Sequence, residues 1–426
     1  MRQVKILSGN RTSAAPLPVP GRSATRSATP VACHSVRPQF VTVMIRFTRH
    51  AILTGAFLLM SSLAVAQGDP DVAEGWQKIV PDPVTLDGQL YTPSCSAAPG
   101  TTTSTFSFYF RKGTADGLVV FFNGGGSCWN DLTCGKPRLE GDQATFSGQG
   151  GEEASGVYKA ELLPGDGPAK MTGLLDRKNP KNPVRDWSMV FVPYCTGDVH
   201  SGSNTAHYKF PDTGKPFTIE HRGWDNAQVI MHWMRDNVPP PAQLLVAGSS
   251  AGAYGAATHF ASLRGLYPKT RAMYLGDSGQ GVTAPGFEEA RNKNWNYQLP
   301  VSVFGPHGRN TPDAEVVAKL AAHFSQDRFA QFTTLHDATQ TAFLQQMTKK
   351  PDRNTWTTQM LSELAVRQAA PNFRSYVALG KTHTILRSPL FFTEQSGGIA
   401  FTAWLAAHLR DDTLPDNARC PECQAP

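Results

Sequence analysis

The sequence lacks any apolar run long enough to cross a membrane as a helix. Its most apolar stretch, residues 51 to 63, is shorter than the ~20 apolar residues that a bilayer requires. Arg46 and Arg49 precede this stretch, and Ala64-Val65-Ala66 follows it as a cleavage site of small residues. We therefore predict a secretory signal peptide at residues 44 to 66, with a short membrane anchor as the alternative.

Acidic residues are missing from positions 1 to 66, which hold eight basic residues: Arg2, Lys5, Arg11, Arg22, Arg26, Arg37, Arg46 and Arg49. Subtracting these eight charges from the formal net charge of +6 leaves −2 for residues 67 to 426. The basic character therefore belongs to the leader and does not indicate a nucleic-acid partner. Residues 1 to 43 are rich in Ser, Pro, Thr and Arg, so we expect a disordered leader or a wrongly assigned start, with translation beginning at Met44.

Cysteine is scarce, with seven residues among 426, and Cys33 lies in the leader. The six that remain are an even number, which in an exported protein favours disulfide bonds. Cys128 and Cys134 are close in sequence on one loop, so we predict that they pair; the other pairings stay open. The segment Cys420-Pro421-Glu422-Cys423 has no second pair of ligands, and we expect no strand before it. We therefore interpret it as a structural disulfide or a loose tail rather than a redox or zinc site.

Apolar strand-like runs alternate with helical periodicity over residues 67 to 426, without an internal repeat. This alternation predicts a single α/β domain with a mostly parallel central sheet flanked by helices. Strands are predicted at residues 118–122, 189–192, 244–247, 272–275, 329–334 and 374–379. Helices are predicted at residues 224–237, 253–263 and 399–409, and after an N-cap at Thr311 with Pro312 as first residue. Residues 135 to 186, rich in Gly, Pro and charge, are expected to form a long irregular loop insertion.

The segment Gly248-Ser249-Ser250-Ala251-Gly252 has the pattern of a sharp turn that exposes a nucleophilic serine between a strand and a helix. A predicted strand lies directly before it, and a helix rich in small residues lies directly after it. Ser250 is therefore the candidate nucleophile of an α/β-hydrolase. A Gly/Ser loop without a catalytic role is the alternative.

In an α/β-hydrolase an acid and then a histidine follow the nucleophile, each just after a later strand. His383 follows the last predicted strand, so it is the candidate base that takes the serine proton. Two acids, Asp277 and Asp337, follow suitable strands, and spacing alone favours Asp337 only slightly. The rival histidines are His259, within a predicted helix and the weaker candidate, and His200 and His336, on loops.

An acyl-transfer site also needs hydrogen-bond donors for the oxyanion. The segment Gly124-Gly125-Gly126 follows an early strand, where lipases and esterases carry a glycine loop with that role. We predict that the backbone amides of Gly125, Gly126 and Ala251 surround the oxyanion, each contributing ~3 kcal/mol of transition-state stabilisation. An ordinary glycine turn is the alternative.

The chain resembles the pectin acetylesterase family of Notum-like carboxylesterases in five stretches: residues 122–129, 192–202, 248–252, 277–279 and 383–388. The resemblance implies an α/β-hydrolase fold and ester hydrolysis outside the cytoplasm. It assigns the family's nucleophile to Ser250, its histidine to His383 and its acid to Asp337 rather than Asp277. The implied oxyanion donors are Gly125, Gly126 and Ala251. This chain has Gly126-Ser127 at a position where some family members have Trp-Tyr, and it has His200 where some have an aromatic residue. We therefore expect its acyl pocket to differ from theirs.

These observations predict a secreted or periplasmic serine carboxylesterase that hydrolyses esters through an acyl-enzyme. The expected substrates carry short acyl groups such as acetyl, with an acetylated polysaccharide as one candidate. Alternatives are an esterase or depolymerase acting on longer acyl or polyester substrates, an acyltransferase, and a non-catalytic binding protein on the same fold. No metal or organic cofactor is expected, and the oligomeric state is left open.

Overall fold

The computed structural model describes residues 70–138, 157–349, 353–410 and 413–423. The predicted leader (1–43) and signal peptide (44–66) lie outside the described residues, as does the part of the predicted insertion between 139 and 156. Val65–Pro426 forms one compact unit. The division into leader, signal peptide and a single hydrolase domain over residues 67 to 426 stays a prediction.

The described residues form seventeen strands, numbered in chain order: β1 (Gln77–Ile79), β2 (Val84–Leu86), β3 (Gln89–Tyr91), β4 (Phe108–Arg111), β5 (Gly117–Phe122), β6 (Pro137–Arg138), β7 (Tyr158–Lys159), β8 (Ser188–Val192), β9 (Asn204–Lys209), β10 (Pro216–His221), β11 (Gln243–Ser249), β12 (Arg271–Asp277), β13 (Arg328–Thr334), β14 (Phe373–Ala378), β15 (Gln395–Ser396), β16 (Ile399–Ala400) and β17 (Ala418–Arg419). Nine of them form one sheet in the order β1-β4-β8-β5-β11-β12-β13-β14-β17. The pairs β1–β4 and β4–β8 are antiparallel, and the other pairs in this sheet are parallel. The predicted α/β architecture with a mostly parallel sheet is therefore confirmed.

The central strands are apolar on both faces because both faces of the sheet are covered. In β5, Leu118, Val120 and Phe122 belong to one apolar core. Val119 and Phe121, which alternate with them, belong to the core on the opposite face. A strand between two cores needs apolar residues at every position, which explains the continuous run that sequence analysis identified.

The described part of the chain also holds nine α-helices: α1 (Asp131–Cys134), α2 (Gly223–Asn237), α3 (Ala251–Leu266), α4 (Phe287–Trp295), α5 (Val301–Phe304), α6 (Asp313–His323), α7 (Ala338–Thr348), α8 (Arg353–Gln368) and α9 (Phe401–Leu409). The helix α3 follows β11 directly and packs against β5, β11 and β12. Among the described helices, none combines the length and hydropathy that a membrane span needs.

The predicted central elements are present, with boundaries that lie within three residues of the predicted ones. The six predicted strands correspond to β5, β8, β11, β12, β13 and β14, and the first two predicted helices to α2 and α3. The helix expected from Thr311 begins at Asp313 instead, with Pro312 as its N-cap. The reason is that Pro312 has an extended backbone with ψ of 144°, so it cannot be the first helical residue.

The end of the chain differs most from expectation. The helix predicted from residue 399 begins at Phe401, because Ile399–Ala400 forms β16 and pairs with β15. The short strand β17 directly precedes Cys420 and pairs with β14, so the expectation of no strand there is wrong. The helices α7 and α8 were not predicted from the sequence. A strand of two residues has no periodicity to detect, since its pairing with a distant strand is what defines it.

Three disulfide bonds link the six cysteines of the described chain. The predicted pair Cys128–Cys134 is confirmed. Cys95 and Cys195, which are 100 residues apart in sequence, join the segment before β4 to the residues after β8. Cys420 and Cys423 form the third bond, as the structural interpretation of that segment expects.

Candidate active site

Ser250 lies at the junction of β11 and α3 with a backbone conformation that non-glycine residues rarely adopt. Its φ is 57° and its ψ is −126°. Such strain costs about 1–3 kcal/mol and persists only where the surroundings impose it. The surroundings of Ser250 are packed closely enough to impose it. A Cβ atom at Gly248 would lie 2.0 Å from the Gly252 carbonyl oxygen, and a Cβ atom at Gly252 would lie 2.0 Å from the Phe122 carbonyl oxygen. The glycines of the motif are therefore required for the tight turn that presents Ser250.

The imidazole of His383 lies between the Ser250 hydroxyl and the Asp337 carboxylate. The distance from His383 Nε2 to Ser250 Oγ is 2.8 Å, and from His383 Nδ1 to Asp337 Oδ2 it is 2.9 Å. All three side chains are at least nine-tenths buried. A buried carboxylate at Nδ1 favours the tautomer with its proton on Nδ1, which leaves the Nε2 lone pair facing the hydroxyl.

Asp337 is held in this position by the start of α7. It is the N-cap of that helix, and its Oδ1 accepts a hydrogen bond of 2.8 Å from the Gln340 amide. The partial positive charge at a helix N-terminus stabilises a carboxylate there. The local sequence therefore places the Asp337 carboxylate shortly after the end of β13. His383 follows the neighbouring parallel strand β14 at the same edge of the sheet.

Asp277, the rival acid, supports the loop that carries His383. Its Oδ2 accepts hydrogen bonds of 2.9 Å from both the Ile385 and the Leu386 amides, and one of 2.8 Å from the Ser249 hydroxyl. Burial raises the pKa of the Asp277 carboxyl. The carboxylate thus joins the residue before Ser250 to the residues after His383. This supporting arrangement was not predicted from the sequence, although the position of Asp277 at the end of β12 was its signal.

The three rival histidines form hydrogen bonds elsewhere. His200 Nε2 lies 2.8 Å from the Asn123 carbonyl oxygen, and His259 Nε2 lies 2.7 Å from the His200 carbonyl oxygen. His336 Nδ1 lies 3.2 Å from Thr357 Oγ1. Burial lowers the pKa of His200 to about 3 and that of His259 to about 4, so both imidazoles are neutral at physiological pH.

The glycine loop after β5 contacts the serine turn. A Cβ atom at Gly124 would lie 2.8 Å from Ser250 Cβ, so only glycine permits this approach. The Gly125 carbonyl accepts a hydrogen bond of 2.8 Å from the Lys159 amide, and Gly126 has a φ of 79°. Ala251 is the first residue of α3, and an amide at that position has no acceptor within its own helix. The oxyanion role of Gly125, Gly126 and Ala251 stays a prediction.

Residues 98–348 match the family model described as Pectinacetylesterase. The chain belongs to this family. A curated relative, the palmitoleoyl-protein carboxylesterase notum2 of Xenopus laevis, is 26% identical over 207 residues, which are 47% of this chain and 37% of the relative. The family consists of carboxylesterase-type hydrolases, so the resemblance inferred from the sequence motifs is confirmed.

Solved structures support the fold. Two crystal forms of the Wnt deacylase Notum from Drosophila align with TM-scores of 0.55 and 0.54 at 16% identity. The alignments cover 81% of this chain and 99% and 98% of the Notum chains. The predicted α/β-hydrolase fold is therefore confirmed.

An aromatic cluster connects the segment after the glycine loop of this family member to the helix that Asp337 caps. The Trp129 ring lies 5.5 Å from the Phe287 ring and 6.2 Å from the Phe343 ring, measured between centroids. Phe343 is on α7, and Trp129 follows the glycine loop by three residues. The cluster thus joins the two segments that carry the predicted oxyanion donors and the predicted acid.

One group of described residues has the side chains and spacing for a metal site, namely Cys128, Cys134 and His221. The two sulfur atoms are bonded to each other, so neither is available as a thiolate ligand. The His221 nitrogens are also engaged, with Nδ1 2.9 Å from the Thr196 carbonyl oxygen and Nε2 2.9 Å from the Tyr208 hydroxyl. This cluster is therefore structural.

Proposed function

We propose that the protein is a serine carboxylesterase in which Ser250 is the nucleophile, His383 the general base and Asp337 the acid. The observation that carries the proposal is a chain of two hydrogen bonds at a strained serine turn. Ser250 Oγ lies 2.8 Å from His383 Nε2, and His383 Nδ1 lies 2.9 Å from Asp337 Oδ2. A hydrogen-bonded chain of serine, histidine and carboxylate activates a hydroxyl that is otherwise a weak nucleophile.

In the proposed reaction Ser250 Oγ attacks the ester carbonyl carbon while His383 Nε2 takes the hydroxyl proton. The buried Asp337 carboxylate stabilises the imidazolium that forms. The amides of Gly125, Gly126 and Ala251 donate hydrogen bonds to the oxyanion. The alcohol then leaves with the proton from His383, and water hydrolyses the acyl-enzyme by the same steps.

The proposed substrate is an ester of a short acyl group such as acetyl, with an acetylated polysaccharide as one candidate carrier. The family description supports this choice. We further propose that Trp129, which lies three residues after the glycine loop and packs against Phe287 and Phe343, limits the length of the acyl group. The relatives are described as acting on acylated proteins. The small residues Gly126 and Ser127 favour a longer acyl group as the second candidate.

Export to the periplasm or the cell exterior is part of the proposal. Three disulfide bonds support it, because such bonds persist in oxidising compartments and are rare in the cytosol. The signal-peptide pattern of residues 44 to 66 points the same way.

The proposal is tested by replacing Ser250 with alanine and measuring hydrolysis of p-nitrophenyl acetate. We expect a loss of up to about 10⁶-fold in kcat with the fold retained. A fluorophosphonate probe should label the wild-type protein and the control Ser302→Ala, whose serine is exposed on α5, but not Ser250→Ala. Undiminished turnover by Ser250→Ala would reject the assignment, and failure to label the wild-type protein would favour a binding protein.

A further inference from the structure

His200 is buried beneath the glycine loop, and the reaction described above does not use it. Its side chain is 2% exposed, and its Nε2 lies 2.8 Å from the carbonyl oxygen of Asn123, the residue between β5 and Gly124. A carbonyl oxygen can only accept, so Nε2 must carry a proton and donate it.

This hydrogen bond fixes the orientation of the first peptide of the glycine loop. The Asn123 carbonyl and the Gly124 amide belong to one planar trans peptide, so they point in opposite directions. A donor that holds the carbonyl therefore also sets the direction of the Gly124 amide, and with it the path by which the chain reaches the proposed donors Gly125 and Gly126. The Lys159 amide does the same for the Gly125–Gly126 peptide, because it donates to the Gly125 carbonyl at 2.8 Å. The loop is thus held on both sides of Gly124-Gly125.

The backbone that presents His200 is itself strained and held by several bonds. Val199 and His200 both have positive φ, 49° and 64°. The Asp198 carboxylate accepts from the His200 amide at 3.1 Å, and His259 Nε2 donates to the His200 carbonyl at 2.7 Å. Two consecutive residues in the left-handed region persist only where the surroundings impose them, which is common next to functional groups.

The ring of His200 also packs beneath the loop. It lies 4.9 Å from the Tyr194 ring and 5.2 Å from the Phe122 ring, measured between centroids. Tyr194 in turn lies against Gly125, where a Cβ atom would approach Tyr194 Cδ1 to 2.4 Å. Packing and hydrogen bonding therefore act on the same few residues, and a test must separate them.

We propose that His200 is a positioning residue, whose hydrogen bond to the Asn123 carbonyl orients the glycine loop so that its amides meet the oxyanion. This inference rests on the proposed esterase function of Ser250 and extends it to a residue that touches neither the substrate nor the reacting atoms. A group that orients oxyanion donors acts on the transition state more than on the bound substrate, so its loss lowers kcat rather than raising KM.

The test compares His200→Phe with His200→Gln. Phenylalanine keeps an aromatic ring but has no donor, whereas the Gln Nε2 is separated from Cβ by the same number of bonds as the His Nε2. Removal of a whole oxyanion donor costs about 10²–10³-fold in kcat, so we expect misorientation in His200→Phe to cost about 10- to 100-fold, with KM within about twofold. His200→Gln should recover kcat to within about fivefold of wild type.

Hydrogen exchange over residues 123 to 127 gives a readout that does not depend on activity. We expect faster exchange in His200→Phe than in wild type or His200→Gln. If the wild-type protein hydrolyses no ester, the proposed function fails, and the exchange data still decide the positioning role. The inference is overturned by unchanged exchange in His200→Phe, by kcat within twofold of wild type, or by equal losses in the two variants. Should His200→Phe not fold, His200→Met, which also lacks a donor, replaces it.

Discussion

Replacing Asp337 with asparagine distinguishes the two acids that follow strands near Ser250. Asparagine is as good an N-cap as aspartate, so its oxygen can still accept from the Gln340 amide. The amide nitrogen would then face His383 Nδ1 as a donor. That contact favours the tautomer with the proton on Nε2, pointing at Ser250 Oγ. In this tautomer the imidazole cannot accept the serine proton.

We expect Asp337→Asn to lose most of its kcat while the stability of the fold is retained. A wrong tautomer of this kind costs about 10⁴ in kcat, which corresponds to about 5–6 kcal/mol of transition-state stabilisation. The midpoint of thermal unfolding should change by no more than a few degrees, because the cap is retained. Steady-state hydrolysis of p-nitrophenyl acetate and a calorimetric unfolding scan measure the two quantities.

Asp277→Asn is the matched comparison. The Asp277 Oδ2 accepts two backbone amides and a hydroxyl, and hydrogen bonds to a charged group contribute about 1.5–3 kcal/mol each. We therefore expect this variant to lose roughly 2–4 kcal/mol of unfolding free energy, because the asparagine oxygen can accept the same three hydrogen bonds but carries no charge to strengthen them. A kcat for Asp337→Asn above a tenth of the wild-type value would refute the assignment of the acid.

Three further predictions concern the surroundings of the site. Gly252→Ala should lower the unfolding free energy by about 3 kcal/mol, because its Cβ would clash with the Phe122 carbonyl; chemical denaturation measures this. Burial raises the pKa of Asp198 to about 6, so as the pH falls the folded protein protonates this carboxylate at a higher pH than the unfolded chain does. The stability of wild type relative to Asp198→Asn should therefore rise by about 2 kcal/mol as the pH falls from 7 to 4, and a difference that does not change with pH would contradict this prediction. Trp129→Ala and Phe343→Ala should raise the ratio of octanoate to acetate hydrolysis; an unchanged ratio in a series of acyl lengths would place the acyl pocket elsewhere.

The sequence by itself determined the features that depend on neighbouring residues. Buried parallel strands require continuous apolar runs, so β5 and β11 were predictable from residues 118–122 and 244–247. The Gly248 to Gly252 turn was predictable because its glycines are needed wherever a chain turns this sharply between strand and helix. Cys128 and Cys134 could be paired because they are only six positions apart.

Only the tertiary structure decided which distant side chains meet. Asp277 ends β12 and Asp337 follows the parallel strand β13, so both lie at the same edge of the sheet, and their spacing does not show which carboxylate contacts the imidazole of His383. The structure gives that contact to Asp337 and gives Asp277 the backbone beyond His383. The bond from His200 to Asn123 spans 77 residues, and β17 is defined by its pairing with β14. Such contacts depend on the packing of the whole sheet, which no local pattern of residues records.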